Sequence, residues 1–400
     1  MAEPKNLPSN FQLPTSPHNR VAIVCDWLLS GGSEKVILEL HRMYPEATIY
    51  ASYATAGWQK RLDGKLVTGY LQYWPLSALR KYIPYLRMMW FSHLNLSAYD
   101  LVISSSGAEA KGIRVKRRSW MASILNQPEP KTTHVAYMYA PTHYYWSRYE
   151  QYLSNPGFGR LDPVARIGLK ILLKPLRKWD YAAAQRPDNI VAISTHIQQQ
   201  IKKYYDRDST VIHPPVDTKR FQTPVLKHDL PNKRKGFVIT GRQTPYKRID
   251  LAVAACTQLN LPLVVVGNGP EHKKLKKLAG KSVTFLRNVT DAELPHYLQS
   301  AEAFLFPGIE DFGIAPVEAM ASGTPVIAYR AGGALDYVID GKTGVFFADQ
   351  TVDSLVAAIS KFQSLHFVRT DIVSQSEKFS TKTFQTQLSN YVQSHQNPAK

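Results

Sequence analysis

Two glutamates, one predicted in a loop and one on the helix that follows, carry residue types that could do chemistry. Glu310 is expected after a buried strand, and Glu318 in the first turn of a helix that begins near Pro316. In that arrangement one glutamate can contact a sugar ring while the other accepts hydrogen bonds from a ribose. For the pair alone, a surface glutamate and a carboxylate that stabilises a helix N-terminus are the alternative.

The loop between the two glutamates could bind an anion. Its backbone N–H groups at Phe312, Gly313 and Ile314 are expected near the start of the helix. Because the N–H groups at a helix N-terminus have no partner within the helix, they can face phosphate oxygens.

Two cations follow the predicted strand 237–240. Arg242 and Lys247 leave the carboxyl end of that strand, where fixed cations can neutralise a leaving diphosphate. For any single Arg or Lys in a loop, a solvated basic side chain is the alternative.

Glycine pairs follow two other predicted strands. Gly31 and Gly32 lie between the strand 21–25 and a helical pattern, so backbone N–H groups there can approach a phosphate. A tight turn that uses the backbone freedom of glycine is the alternative. Gly267 and Gly269 follow a further strand, but the third glycine of a dinucleotide fingerprint is missing. We interpret this second pair as a turn near a nucleotide and not as a hydride-transfer site.

The elements that must position these residues alternate between short apolar runs and helical patterns, which is typical of parallel α/β sheets. In the front half the predicted strands are 21–25, 48–50, 101–104, 134–137, 190–193 and 210–213. In the back half they are 237–240, 263–266, 283–286, 303–306, 325–328 and 344–346. Two such series predict two doubly wound, Rossmann-like α/β domains that face a central cleft. Ligands of such sheets bind beyond the carboxyl ends of the strands.

The predicted domain boundaries divide the chain into five segments. The polar, proline-containing residues 1–19 are expected to form a flexible N-terminus. The other four are an N-terminal domain at 20–217, a linker at 218–235, a C-terminal domain at 236–380 and a tail at 381–400. The tail has a helical pattern and is expected to pack back on the N-terminal domain.

The charge of the chain predicts an anionic partner. Its 400 residues include 49 Lys and Arg against 31 Asp and Glu, a formal net charge of +18. Nucleic acid, anionic lipid and a phosphorylated small molecule all fit this excess. The basic residues are spread along the chain and no nucleic-acid-binding module is recognisable, so we expect no nucleic acid. Two cysteines in apolar runs, no signal peptide and no long apolar stretch predict a cytoplasmic protein without a membrane span.

Basic and apolar or aromatic residues mix in two stretches of the front half. The first has a helical pattern with basic residues beside apolar ones: Arg166, Lys170, Lys174 and Arg177 beside Ile167, Ile171 and Leu172. Pro175 is expected to kink or end that helix. The second, residues 70–94, is rich in Trp and Tyr among basic residues. Such stretches suit the interface of an anionic membrane, and core helices with solvated lysines are the alternative.

Five motifs occur in an order that resembles family 4 of the glycosyltransferases. They are the stretches 31–35, 214–217, 241–247, 267–271 and 310–318. The resemblance implies a retaining enzyme of the GT-B fold that moves a hexose from a nucleotide diphosphate sugar to an acceptor. It places Glu310 at the hexose, Glu318 at the ribose, and Arg242 and Lys247 on the diphosphate. The other residues it assigns to the donor are Gly31, Gly32, Gly267, Asn288, Phe312, Gly313 and Ile314.

The segment 137–146 is similar to a pattern in the mannosyltransferase-like members of that family. Tyr139 stands where those members have His, and His143 where they have Arg. Both positions are expected to face the sugar or the acceptor. Arg287 and Asn288 stand where relatives often have Gly and Arg, near the expected base pocket.

The resemblance also sets expectations about ligands and location. The donor is expected to be GDP-mannose, with a UDP-sugar as the alternative, and the acceptor a polyprenyl-linked lipid or an oligosaccharide. We expect no cofactor and, because the histidines lack metal-ligand spacing, no metal. An enzyme of this kind would be peripheral on the cytoplasmic face of an anionic membrane. A catalytically weakened partner subunit or glycan-binding module, suggested by Tyr139 in place of His, stays open as the alternative function.

Overall fold

Two β-sheets form the framework of the chain in the computed structural model. The structure describes residues 20–396 except 30, 63, 81–82, 116–131, 155–158, 160–161 and 224–233. Every strand pair whose register is described is parallel. The described residues up to Val191, together with those from Ser389, form one unit, and Ala192–Leu388 form the other. The predicted N-terminus 1–19 lies outside the described residues.

The strands are short and mostly buried, as expected for sheets whose faces are covered. The first sheet has β1 (Val21–Cys25), β2 (Thr48–Ala51), β3 (Leu66–Thr68), β4 (Leu101–Ser106), β5 (Thr133–Met138), β6 (Asn189–Ala192) and β7 (Thr210–Val211). The second has β8 (Phe237–Thr240), β9 (Leu263–Val266), β10 (Val283–Leu286), β11 (Ala303–Phe306), β12 (Val326–Tyr329) and β13 (Gly344–Phe347).

Helices connect successive strands. Before the last strand of the first sheet they are α1 (Ser33–Met43), α2 (Ala56–Arg61), α3 (Leu76–Leu79), α4 (Pro84–His93), α5 (Tyr149–Ser154), α6 (Asp162–Ala184) and α7 (Thr195–Tyr205). Then follow α8 (Thr218–Gln222), α9 (Ile249–Gln258), α10 (His272–Leu278), α11 (Leu294–Ser300), α12 (Ile314–Ala321) and α13 (Ala334–Tyr337). The chain ends with α14 (Val352–Gln363), α15 (Arg369–Glu377) and α16 (Thr381–Gln396). Across the described ranges, no helix combines the length and the apolar character needed to cross a bilayer.

The strand orders confirm two doubly wound sheets. The first runs β3-β2-β1-β4-β5-β6-β7 and the second β10-β9-β8-β11-β12-β13. In each sheet the order reverses between the first strand and the fourth, so the chain leaves β1 and β4, and likewise β8 and β11, in opposite directions. A crevice opens at such a switch point, and ligands of doubly wound sheets bind there.

The predicted strands are all present, and three details differ. β3, a partly exposed edge strand, has no buried apolar run and was missed. α12 begins at Ile314, so Glu318 lies in the second turn of the helix and not in the first. α6 continues through Pro175 to Ala184, so of the two expectations for this proline, a kink or an end, the end does not occur. A proline removes one backbone donor but does not by itself end a helix whose other bonds hold.

The segment predicted as the linker contains regular structure at its start. Asp217 caps α8 by accepting the N–H of Arg220, and Phe221 of that helix is fully buried. Val216 exchanges backbone hydrogen bonds with Phe379 and Thr381, at the start of α16. Residues 224–233 of the predicted linker lie outside the described part of the chain. The residues of α16 from Ser389 onwards group with the first unit.

A glycine allows the two loops at the second switch point to touch. Gly308 follows β11 and is buried. A Cβ atom at this position would lie 2.7 Å from Lys247 Cα and 2.7 Å from the carbonyl oxygen of Tyr246. Such distances are well inside van der Waals contact, and the atoms that would be struck belong to backbone. Only glycine therefore lets the loops after β8 and β11 approach this closely.

Gly308→Ala is expected to destabilise the protein, because the added methyl group must push two backbone segments apart. The cost of such overpacking is about 1–3 kcal/mol, measured as a lower midpoint of unfolding in urea. Gly168→Ala is the matched control, because Gly168 lies within α6 and a Cβ there meets nothing within 4 Å. That variant should be neutral or more stable by up to about 1 kcal/mol. Equal midpoints for the two variants would contradict this account.

Candidate active site

In the second unit, an ion pair spans the switch point. Lys247 ends the short 3-10 turn Pro245–Lys247 after β8, and Glu310 lies in the loop after β11. The Nζ of Lys247 donates a hydrogen bond to Glu310 Oε1. Both side chains are mostly buried, with 16% and 18% of their surface exposed. The structure thus brings together two of the three residues that sequence reasoning made catalytic.

Arg242, the third of these residues, lies on the same loop but is oriented to solvent. Its side chain is exposed, and the guanidinium makes no hydrogen bond or ion pair with the residues that the structure describes. A guanidinium has five N–H donors and stays charged at all working pH values. Arg242 is therefore a cation at the carboxyl edge of the second sheet, next to a strand end that already holds an ion pair.

The loop that leads into α12 is fixed by close contacts. Gly313 adopts a φ of 88°, which favours glycine, and a Cβ there would lie 2.7 Å from the Phe306 ring. The hydroxyl of Tyr337 donates to the carbonyl oxygen of Phe312 at 3.1 Å. Ile314 begins the helix, so its N–H is among those that lack a partner within the helix. Glu318, one turn further, is buried with 6% exposed.

Glycine turns bring the ends of three strands together at the same edge. The N–H of Gly241 donates to the carbonyl of Val266, and the N–H of Gly267 to that of Leu286. Gly267 has a φ of 121°, and a Cβ there would lie 2.3 Å from the carbonyl oxygen of Gly241. Asn288 is exposed two residues beyond β10. The predicted donor residues of the second unit thus lie at one edge of one sheet, on loops except for Ile314 and Glu318 of α12.

A histidine and an aspartate that sequence reasoning did not select lie beside this loop system. His213 Nε2 is 3.0 Å from Asp336 Oδ2, and the ring of Phe312 lies 5.5 Å from that of His213. Burial alone would raise the pKa of Asp336, but hydrogen bonds from His213 and Thr195 hold it below its usual range. His213 directly precedes the motif 214–217, and this position is the only feature of the sequence that could have indicated His213 as a site residue.

In the first unit, the predicted residues Gly32 and Tyr139 lie close together. The hydroxyl of Tyr139 donates to the carbonyl oxygen of Ser33, the first residue of α1, at 3.0 Å. It also bonds the hydroxyl of Ser105, which lies in β4, at 2.5 Å. Burial raises the pKa of Tyr139 well above its usual range. Tyr139 therefore ties the end of β5 to the glycine turn and to the neighbouring strand.

A small pocket of about 190 Å³ lies beside this tyrosine. Its lining includes Cys25, Asp26, Ser33, Glu34 and Tyr139. Glu34 closes the glycine turn, since its carboxylate accepts the N–H of Leu29 at 3.0 Å and the hydroxyl of Ser33 at 2.9 Å. A carboxylate thus already lies at the N-terminus of α1, where the sequence predicted room for a phosphate. The turn at Gly31 and Gly32 can hold a hydroxyl-bearing ligand more readily than a second anion.

Asp26 occupies the switch point of the first sheet. It follows β1, and its carboxylate accepts the N–H groups of Gly107, Ala108 and Ala110, beyond β4, at 2.8–3.0 Å. Burial and the nearby carboxylate of Glu109 raise the pKa of Asp26, although the bonds from the backbone oppose that shift. An acidic residue directly after the first strand was the sequence signal for this position, and it was not used.

Glu109 belongs to a buried ion pair beneath that loop. Arg87 donates to both carboxylate oxygens of Glu109 at 2.8 Å, and the hydroxyl of Tyr144 donates to Oε1 at 2.9 Å. His143, predicted to face the sugar or the acceptor, is half-buried with Nδ1 2.8 Å from the hydroxyl of Ser147. Among the described residues, no group of three or more His, Cys, Asp or Glu side chains could hold a metal ion.

Part of the second unit matches a known family in sequence. The model of the family described as "Glycosyl transferases group 1" matches residues 224–379. A GDP-mannose-dependent alpha-(1-6)-phosphatidylinositol monomannoside mannosyltransferase of Mycolicibacterium smegmatis is 29% identical over 198 residues, 43% of this chain and 52% of that protein. The alpha-1,3/1,6-mannosyltransferase ALG2 of Homo sapiens is 30% identical over 218 residues, 46% of this chain and 52% of that protein. The chain thus matches about half the length of these relatives.

Solved structures resemble almost the whole chain. Anabaena Alr3699/HepE in complex with UDP covers 94% of this chain and 100% of its own at a TM-score of 0.67 and 16% identity. Sucrose-phosphate synthase of Thermosynechococcus elongatus covers 95% of this chain and 100% of its own, at a TM-score of 0.65 and 18% identity. At these identities the likeness establishes the fold alone. Residues 224–379 therefore belong to the group 1 glycosyl transferases, and the chain has the GT-B fold.

Proposed function

We propose that this protein is a retaining hexosyltransferase that takes its sugar from a nucleotide diphosphate donor bound at the carboxyl edge of the second sheet. The observation that carries the proposal is the Lys247–Glu310 pair, because it joins a cation and a carboxylate across the switch point. A donor has both a diphosphate, which needs cations, and a sugar, whose hydroxyls need acceptors. Lys247 supplies a cation for the diphosphate, and Glu310 supplies an acceptor for the sugar hydroxyls.

The proposed chemistry uses these two side chains and Arg242. An ammonium group has three N–H donors, so Lys247 can keep its bond to Glu310 and also donate to a phosphate oxygen. Arg242, exposed on the same loop, adds a second cation for the charge that develops on the diphosphate as the glycosidic C–O bond breaks. The acceptor hydroxyl attacks from the same face, and its proton passes to the leaving diphosphate. Glu310 accepts hydrogen bonds from the hexose and orients it.

We propose mannose as the sugar and GDP-mannose as the donor. The names of the two mannosyltransferase relatives support this choice. A UDP-sugar is the alternative, since the HepE structure holds UDP. A thermal-shift series with GDP, UDP, GDP-mannose and UDP-glucose separates the two, because a bound ligand raises the unfolding temperature by mass action. We expect the guanine nucleotides to give the larger shift, and a larger shift with UDP would replace mannose by a UDP-linked sugar.

Glu310→Gln and Lys247→Met are expected to lower the rate of transfer about a hundredfold to a thousandfold each. Both remove an electrostatic contact that is strongest in the transition state. Glu310→Gln leaves Lys247 without its counter-ion, and Lys247→Met removes a cation from the diphosphate. The measurement is turnover of radiolabelled GDP-mannose, as transfer and as hydrolysis.

Lys361→Ala is the matched control for these two variants. Lys361 forms an ion pair with Asp340 in the same unit, but half of the lysine side chain is exposed. Exposed pairs contribute about 0–1 kcal/mol, so this variant should turn over at the rate of the unchanged protein. Normal turnover in folded Glu310→Gln or Lys247→Met would overturn the catalytic assignment.

We further propose a lipid-linked acceptor that is reached at an anionic membrane surface. α6 supports this, since Val164, Ile167, Ile171 and Leu172 are exposed, Ile171 by 70%. Lys170 and Lys174 are also exposed on this helix. Arg177, predicted as part of the same basic face, instead donates to the carbonyl of Tyr145 at 2.7 Å. The proposed membrane face therefore lies towards the start of α6.

A second exposed group of residues supports the same proposal. Tyr73, Trp74 and Tyr85 expose 71%, 84% and 65% of their surface in the first unit. Tryptophan is highly buried on average and tyrosine intermediate, so these exposures are high for both residue types. Their amphipathic rings suit the headgroup region of a bilayer. Lys81, predicted within this stretch, lies outside the described residues.

Lys170→Gln combined with Lys174→Gln is expected to weaken sedimentation with phosphatidylserine vesicles roughly thirtyfold at low salt. Each lysine near an anionic surface contributes about 1 kcal/mol, and salt screens the attraction within a Debye length of about 8–10 Å. Lys273→Gln with Lys277→Gln, on α10 of the other unit, removes the same charge and is the control. If both double variants lose vesicle binding to the same extent, or if vesicle binding does not depend on the salt concentration, a soluble oligosaccharide acceptor is favoured.

One observation favours the second candidate function, a catalytically weakened partner or glycan-binding module. The hydroxyl of Tyr139, at the position where mannosyltransferase-like relatives have His, is bonded to Ser33 and Ser105. Hydrolysis of the donor without acceptor distinguishes the two functions. A glycosyltransferase releases free hexose slowly, whereas a binding module releases none.

A further inference from the structure

A buried histidine links the loops at the carboxyl edge of the second sheet. His272, the first residue of α10, is 4% exposed. Its Nδ1 lies 2.8 Å from Gln243 Oε1, and its Nε2 lies 3.0 Å from Arg287 Nε. Gln243, which is fully buried, donates through Nε2 to the carbonyl oxygen of Gly267 at 2.8 Å. The result is an unbroken chain of hydrogen bonds from Arg287 to Gly267.

The donors and acceptors of this chain have only one consistent arrangement. The Nε of Arg287 can only donate, so Nε2 of His272 must accept. The Nε2 of Gln243 is committed as donor to Gly267, so its Oε1 must accept from Nδ1 of His272. His272 is therefore neutral and carries its proton on Nδ1. A protonated ring would have to lose the bond to Arg287, because both of its nitrogens would be donors.

This series of hydrogen bonds joins the loops after three neighbouring strands. Gln243 follows β8, Gly267 follows β9 and Arg287 follows β10. The loops are in direct contact, since a Cβ at Gly269 would lie 2.4 Å from the carbonyl oxygen of Gln243. The backbone of Gln243 also accepts the N–H of Glu271 at 3.1 Å. A shift of one loop therefore shifts the other two.

We propose that neutral His272 is a positioning residue that holds these three loops in register for the nucleotide of the donor. The inference rests on the proposed function, which places the donor at this edge. Arg287 directly precedes Asn288, the residue expected near the base, and Gln243 directly follows Arg242, expected on the diphosphate. His272 lies behind both and touches neither ligand group. It acts by fixing the ends of the site at the distance that a nucleoside diphosphate spans.

The surroundings of His272 make this role dependent on pH. The groups that face it are Arg287 from the loop after β10, Lys276 from the next turn of α10 and the edge of the Phe285 ring. Burial, Arg287 and Lys276 all lower the pKa of His272. Because the pKa is lower in the folded chain, the folded state loses stability as the pH falls below the usual histidine value of about 6.5. Protonation separates Arg287 from the ring, and the loops are released.

His272→Phe keeps a ring of similar size and removes both hydrogen bonds. We expect faster amide hydrogen exchange in residues 241–244 and 266–269, measured at pH 8 by mass spectrometry without ligand. We expect the affinity for GDP or UDP, whichever binds the unchanged protein, to fall about tenfold at the same pH. His366→Phe is the control, since His366 is exposed on a loop of the same unit. That variant should match the unchanged protein in both measurements.

His272→Asn provides the pH test. An asparagine amide can still donate to Gln243 but does not titrate. The nucleotide affinity of this variant should therefore fall less between pH 8 and pH 5.5 than that of the unchanged protein, because only the terminal phosphate of the nucleotide, which titrates near about pH 6, still contributes. The affinity of the unchanged protein should fall over this range. Arg287→Met, which removes the other end of the chain, serves if His272→Phe does not fold, and it should release the same amides.

The outcomes separate this inference from the proposed function. Unchanged exchange in folded His272→Phe, or faster exchange with unchanged nucleotide affinity, overturns the positioning role. A fall in affinity between pH 8 and pH 5.5 that is as large in His272→Asn as in the unchanged protein overturns the protonation step. If the unchanged protein binds neither GDP nor UDP, the proposed function fails and the nucleotide role of His272 with it, while the exchange data still test the link between the loops.

Discussion

The structure of the second unit depends on how closely the loops after β8 and β11 approach each other. Those strands are neighbours at the point where the winding reverses. At this point the helices diverge, so loops and not helices must close the sheet edge. Gly308 has no side chain to keep the loops apart, and Lys247 and Glu310 then meet across the gap. A charge pair in a largely dry location costs desolvation, and geometry must offset that cost. The proposed site exists because this contact is made.

In the first unit, the loops at the switch point of the sheet are connected by a different kind of contact. There the group that crosses the switch point is Asp26, and it bonds three backbone N–H groups instead of a cation. The Asp26 carboxylate takes up backbone donors that a phosphate could have used, and Glu34 adds a second carboxylate nearby. The two edges therefore differ in electrostatic character. The first suits hydroxyl groups, such as those of a glycan, and the second suits a diphosphate.

Buried polar chains stiffen both edges. Arg87 and Glu109 form a bidentate pair under the loop that Asp26 holds, and Tyr144 joins them. In the second unit the hydrogen bonds from the charged Arg287 through neutral His272 to Gln243 have the same effect without a carboxylate. Buried polar groups are costly when any one of them is left unpaired. Each network therefore fixes its loops to one arrangement, and preorganised loops are what electrostatic catalysis requires.

Much of the fold could be predicted from the sequence, because strands and helices depend on local patterns of apolar and polar residues. Buried parallel strands are short apolar runs, and each of the twelve predicted runs is a strand. β3 escaped because an edge strand need not be apolar on both faces. The sequence predicted Glu310, Lys247 and the glycine turns at strand ends, and the structure places them at one sheet edge, since strand ends in a parallel sheet share that edge. The helix α12 begins at Ile314, two residues before the predicted start near Pro316, because Gly313 is the residue that precedes it and Pro316 lies in its first turn.

The sequence could not predict which side chains form hydrogen bonds and ion pairs with each other. Nothing local says that Lys247 meets Glu310, that Tyr139 bonds Ser33, or that His272 joins Gln243 to Arg287, because these partners lie far apart in the chain. The sequence alone determined which residue types stand at the strand ends. The tertiary structure decided which of them touch, which are buried and which protonation state each can hold, because strand order and close packing set the distances on which hydrogen bonds and charges depend.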